Sequence, residues 1–243
     1  MSINRQPNGS IEIKLHLSWN DIQSQIKIET EKAISNAEIP GFRKGKAPRD
    51  LVEPKLDKSQ LLSQSLAELL PKVYSGVIDT EKLKPILYPQ IHIDKGVWGQ
   101  DFEFTATTCE SPTVTLPQSY VENIPKLQFK DANNQLSTIL EYLHTNSQVQ
   151  IPDPLIVEES NHRLSRLAEN LSQLGIDMSK YLTTKKITAE DLKAQTAATA
   201  KADLEIEFIL ETIQSHQKLL DRQSTLEYLK SLSKDQAKVL PKT

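Results

Sequence analysis

A single cysteine, Cys109, stands in a chain of 243 residues. A lone thiol forms no intrachain disulfide and rules out a cysteine-based metal site. It fits a reducing cytosol, and a cytoplasmic location is expected. Glycine is scarce, with 7 in the whole chain. Neither G-x-G-x-x-G nor G-x-x-x-x-G-K-[ST] occurs, so the glycine-rich loops that cradle nucleotide phosphates are missing. Methionine is present only as Met1 and Met178, too few for an adaptable methionine-rich groove. No run approaches the ~20 apolar residues of a membrane-spanning helix. The opening MSINRQPNGS has no apolar core of the secretory-signal type, so neither an export signal nor a membrane partner is expected.

Catalytic patterns are equally thin. His16, His92, His144, His162 and His216 are scattered, with no H-E-x-x-H and no close pair. No G-x-S-x-G is present. The acidic groups Glu158 with Glu159, Glu190 with Asp191, and Glu205, Glu207 and Glu211 read as solvated helix faces rather than paired catalytic acids. Cys109 sits on an expected strand without a local histidine and reads as a buried thiol. We therefore expect no enzyme activity, no cofactor and no metal.

The formal net charge is -3, so any polyanion contact must come from a local patch rather than the whole surface. One such patch exists. Residues 39–50, IPGFRKGKAPRD, crowd Arg43, Lys44, Lys46 and Arg49 around one aromatic, Phe42. Pro40 and Pro48 fix backbone angles, and Gly41 and Gly45 allow tight turns. The outcome should be a stiff, projecting tip. Arg43 can fork onto phosphate or carboxylate, Lys44 and Lys46 add point charges, and Phe42 is a rigid anchor of the kind that fills an interface pocket.

Around this loop the chain reads as strand, helix, loop, helix and hairpin. SIEIKLHL at 10–17 alternates apolar and polar residues, the mark of a half-buried strand. A helix is expected from Trp19 to Ser35, capped by Ser18 or Asn20. After Pro54 a longer helix carries Leu62, Leu66, Leu69, Val73 and Val77 at helical spacing, with Pro71 expected to kink it or end its first half. Ile91 with Ile93 and Phe102 with Phe104 mark two strands joined by a glycine-containing loop. The first strand must pair with this hairpin non-locally.

From Gln128 onward strand signals vanish. A short amphipathic helix is expected over DANNQLSTILEYLHTN. A second helix should be capped by Asp153, open on Pro154, stop at Gly175, and bury Ile156, Leu164, Leu167, Leu171 and Leu174. A long helix of some 30 residues should begin at Thr188 and Asp191, a variant capping box, and would extend about 45 Å. The expected fold is an α+β N-terminal domain over 1–120, an antiparallel sheet with two helices and a projecting loop. An all-α C-terminal domain with a long arm helix follows over 121–243.

The segment GFRKGKAP fits G-F-R-x-G-K-x-P at every specified position, and it resembles the ribosome-docking signature of the trigger factor family of bacterial chaperones. The order of elements around it is also similar to that family's N-terminal domain. The rear half resembles the family's substrate-cradling domain, on QVQIPDPLIVEESNHRLSRLAENLSQLGID and ITAEDLKAQTAATAKADLEIEFILETI. The resemblance implies that Phe42, Arg43 and Lys44, with Gly41, Gly45 and Lys46 in the same loop, meet protein and rRNA of the large ribosomal subunit beside the nascent-chain exit. It also implies a chaperone that needs no ATP. Two departures accompany it. The family usually inserts a peptidyl-prolyl isomerase domain, and the stretch between the hairpin and Ile151 is too short for one, so isomerase activity should be absent. The stretch beyond Leu220 is also short, so the cradle should be smaller.

A chaperone of this kind needs a broad, mildly apolar surface that binds nascent or unfolded chains and lets them go. In the long helix Ile206, Ile209, Leu210 and Ile213 fall near one face, with Phe208 at its flank, and these are the candidate substrate-binding residues. Ordinary core packing is the alternative for each of them. Two other functions stay open: a ribosome-independent holdase of the SurA-like helical type, and an RNA-binding module using the basic loop. A weak homodimer off the ribosome is also left open.

Overall fold

The computed structural model describes residues 2–129 and 134–234. Contacts divide the chain into two units. The first is built on Ser10–Glu110 with the residues up to Gln6; the second begins at Ser111 and includes Pro7–Gly9.

In the first unit, β1 (Ser2–Arg5) and β2 (Ser10–Leu17) lead into α1 (Trp19–Asn36). The basic loop follows, then α2 (Arg49–Val52), a 3-10 turn (Glu53–Lys55), α3 (Lys58–Glu81), β3 (Gln90–Lys95) and β4 (Phe102–Cys109). The antiparallel sheet has the order β1-β2-β4-β3. The non-local pairing expected for the first strand is present: β2 runs against β4 from Ser10↔Cys109 to Leu17↔Phe102. The alternation of β2 turns Ile11, Ile13, Leu15 and Leu17 to one buried face, beside Phe102, Phe104 and Ala106 of β4. Helices α1 and α3 cover that face with Ile22, Leu66 and Val77. Ser18 caps α1, its hydroxyl accepting the Asp21 N–H at 3.2 Å.

Pro71 neither ends α3 nor divides it, since the helix runs through it from Lys58 to Glu81. Leu66, Leu69, Leu70, Val73 and Val77 pack on the sheet from both sides of the proline. Tertiary burial thus outweighs the one backbone hydrogen bond the proline cannot donate. Strand β1 carries only Ile3 among polar residues, which is why no strand was expected there.

The second unit comprises β5 (Val114–Thr115), α4 (Tyr120–Asn123), a 3-10 turn (Ile124–Lys126), α5 (Gln135–Asn146), β6 (Gln148–Val149), α6 (Asp153–Gln173), α7 (Met178–Lys185), α8 (Ala189–Gln217) and α9 (Arg222–Lys234). It is not wholly helical: β5 pairs antiparallel with β6, Val114 opposite Val149. The division at Glu110 also falls earlier than residue 120, because Tyr120 and Ile124 belong to the core of this unit. That core joins them to Ile139, Leu143, Ile209, Leu210, Ile213 and Leu229. The capping box of α8 is complete: Thr188 Oγ1 accepts the Asp191 N–H and Asp191 Oδ2 accepts the Thr188 N–H, each at 3.0 Å. Asp153 is the first residue of α6 rather than its cap, and Leu174, expected in the apolar stripe, is 72% exposed just past the helix end. Three helices, α3, α7 and α8, close on a lysine in the left-handed conformation: Lys82, Lys186 and Lys218, at φ 53°, 55° and 54°.

Candidate ribosome-docking loop and client surface

The loop between α1 and α2 is short of regular structure but well tied. Phe42 N donates to Ile39 O at 3.0 Å, and Lys46 N donates to Arg43 O at 2.9 Å, making two successive turns. Gly45 N reaches back to Ala37 O at 3.0 Å and pins the tip to the end of α1. Gly41 and Gly45 take φ +88° and +68°, values that L side chains rarely adopt. A side chain at Gly45 would in addition collide with the Ser35 carbonyl, whereas the space at Gly41 is open.

This backbone presents Phe42 outward, 44% exposed, next to exposed Arg43, Lys44 and Lys46. Lys44 stands 3.5 Å from Glu38, with both side chains largely in solvent, so the pair holds it only weakly. Arg43 and Lys46 form no ion pair among the described residues. The fourth cation behaves differently. Arg49 donates from Nε to Glu53 at 2.7 Å and also pairs with Glu31. Glu53 first, and Glu31 with it, hold its guanidinium still more firmly protonated. Arg49 therefore braces α2 against α1, and the tip offers three cations rather than four.

On α8 the core-packing alternative holds for three of the five candidate residues. Ile209, Leu210 and Ile213 are almost wholly buried in the second core, with Ile206 packed partly buried against it. They pack with α5 and α9, the neighbours that the helical spacing alone could not identify. Phe208 is half-buried and lines a shallow pocket with Ser111, Pro112, Glu211, Thr212, Ser215 and His216. The other half of α8 packs along α6. There Ser160, Leu171 and Ala200 are buried, while Leu164, Leu167, Leu192 and Ala197 are half-buried. Arg163 ties the two helices, donating to Asp203 at 2.6 Å and to Glu159 at 2.7 Å.

Two of the scattered histidines have carboxylate neighbours. His144 meets Glu205 at 2.7 Å and His16 meets Asp101 at 3.2 Å. Burial pushes the Cys109 thiol up, away from reactive thiolate. Among the described residues no cluster of three metal-ligating side chains occurs, and no helix is long and apolar enough to cross a membrane.

A sheet-and-helix unit carrying a braced, cationic, aromatic tip, followed by a largely helical unit with a 29-residue helix, defines a two-unit α+β class of protein. Two family models give that class its name. Bacterial trigger factor protein (TF) matches residues 1–138, and Bacterial trigger factor protein (TF) C-terminus matches residues 116–229. The chain belongs to the trigger factor family. The two matches overlap, so no stretch of sequence lies between them.

Curated relatives agree. The trigger factor of Syntrophomonas wolfei is 32% identical over 126 residues, 51% of this chain and 29% of the relative. That of Bacillus mycoides is 33% identical over 104 residues, 43% of this chain and 24% of the relative. The chain thus spans less than a third of the length of these relatives. A solved structure described as "Promiscuous Substrate Recognition in Folding and Assembly Activities of the Trigger Factor Chaperone" superposes with a TM-score of 0.55 at 12% identity, covering 96% of this chain and 93% of that one. At that identity the likeness concerns the fold.

Proposed function

We propose that the protein is an ATP-independent chaperone. It docks at the large ribosomal subunit beside the exit site through Gly41–Lys46 and holds nascent or unfolded polypeptides without isomerising prolines. The observation that carries this reading is the tip itself: Phe42 stands in solvent on a braced turn, and Arg43 and Lys46 beside it have no internal ion pair among the described residues. An exposed aromatic flanked by unspent cations suits a partner surface that mixes an apolar pocket with acidic side chains or phosphate. The weakly apolar faces of α6 and the first half of α8 suit the holding role in place of the buried Ile209, Leu210 and Ile213. A cytoplasmic site of action goes with this reading.

Co-sedimentation with 70S ribosomes tests it. Changing Phe42, Arg43 and Lys44 together to Ala should lower the ribosome-bound fraction about tenfold or more, with the thermal midpoint little changed because all three are exposed. Unchanged sedimentation of the triple variant sinks the docking role. The RNA-module reading is separated by salt: three cations meeting phosphate alone would lose nearly all binding as salt rises, whereas a seated Phe42 leaves a salt-resistant part.

A further inference from the structure

Strand β3 is one edge of the four-stranded sheet, and the short β1 is the other. Its register with β4 sets Ile91 opposite Ala106 and Ile93 opposite Phe104, and both partners are fully buried. The two isoleucines therefore lie on the core face of the sheet, since facing positions in a register share a side. Yet Ile91 is 42% and Ile93 53% exposed, because the covering helices stop short of this edge. The exposed apolar residues Ile86, Tyr88, Val97 and Trp98 fall in the same stretch. Trp98 is held in place edge-on against Trp19, ring centres 5.1 Å apart. The other face of the strand is polar: Asp94 accepts the Thr105 hydroxyl at 2.5 Å and the Lys14 ammonium at 3.3 Å.

The edge is thus half of a ladder. Alternate backbone N–H and C=O groups of β3 point outward with no strand beside them among the described residues, over an apolar rim on one side and a charged rim on the other. Such a row of groups is a template for an extended chain, and one with apolar side chains at alternate positions also covers the rim. We propose that the free edge of β3 takes up an extended stretch of unfolded polypeptide as an added strand, its alternate apolar side chains lying on Ile91 and Ile93. This rests on the chaperone reading above and gives it a second contact, read through the backbone and so tolerant of client sequence. A second copy of the chain fits less well. The register breaks between Ile93 and Lys95, leaving Gln90–Ile93 as the regular run. A symmetric ladder of that length buries far less than the roughly 1,200 Å² of a stable interface. A flexible chain can follow the bend and continue onto Val97 and Trp98.

Hydrogen exchange of the full chain with reduced, carboxymethylated α-lactalbumin, a permanently unfolded probe, tests the proposal. The outward amides of Gln90–Lys95 should gain protection when the probe binds. The double substitution Ile91→Thr with Ile93→Thr should weaken probe binding about tenfold. The protection measurement needs no variant, so it decides the matter even if the double substitution disturbs folding. Probe binding with β3 left unprotected overturns the edge site and leaves the chaperone reading intact. Absence of probe binding overturns both. Protection of β3 that rises with the protein's own concentration, without probe, makes the edge a contact between copies and overturns the proposal.

Discussion

Glu29 shows how one side chain can hold two helical neighbours. It is buried on α1, accepting from Lys32 Nζ at 2.8 Å and from Gln25 Nε2 at 2.9 Å. The Lys32 hydrogen bond leads, with Gln25 assisting, in holding its carboxyl below the usual range against the opposing effect of burial. A carboxylate depressed in the folded state adds stability that is complete above its unfolded value. That contribution disappears as the pH falls through the lower folded value. Glu29→Gln should therefore cost about 1 kcal/mol at neutral pH, and the gap between the two melting curves should close in acid. The loop glycines differ from each other in the same local way. Gly45→Ala meets both a left-handed backbone and the Ser35 carbonyl, so it should lower stability by about 2 kcal/mol or more. Gly41→Ala meets open space and should cost about 1 kcal/mol. Thermal melts of the two variants side by side check the ranking.

Among the elements, α3 and α8 carry the clearest expectations. Pro71 lies exposed within a continuous helix. Replacing it by Ala restores a donor toward the preceding turn and should raise stability by about 1–3 kcal/mol, seen as a higher denaturation midpoint. Thr188→Ala removes half of the α8 capping box and should cost about 1 kcal/mol, with faster amide exchange concentrated in the first turns of that helix. These two elements also mark how far sequence carries. The caps of α1 and α8, strand alternation and the GFRKGKAP tip were legible because each depends on residues close together in the chain. The face of α8 that becomes core was not, because Ile209, Leu210 and Ile213 are buried by α5 and α9, and spacing marks a stripe without naming what covers it. The pairing of β5 with β6 escaped for a similar reason, two residues a side being too few to show a period. The bracing of Arg49 was hidden too: its partner Glu31 lies a full loop away on α1.

For the whole molecule, each unit has its own apolar core, Ile13 and Phe104 at the centre of one, Ile139 and Ile213 of the other. Ile213→Ala should cost about 2–5 kcal/mol and loosen amides of the helical unit, while those of β2 and β4 keep their protection. Hydrogen exchange resolved by segment distinguishes this from a chain that melts as one body. The lysines at the ends of α3, α7 and α8 have a practical side. A chain sparing of glycine has placed Lys82, Lys186 and Lys218 where a residue without a side chain rests more easily. Glycine at each should gain up to about 1 kcal/mol. The positions are far apart in sequence and cap different helices, so the gains should sum to a hardier protein with its tip, arm and sheet edge untouched.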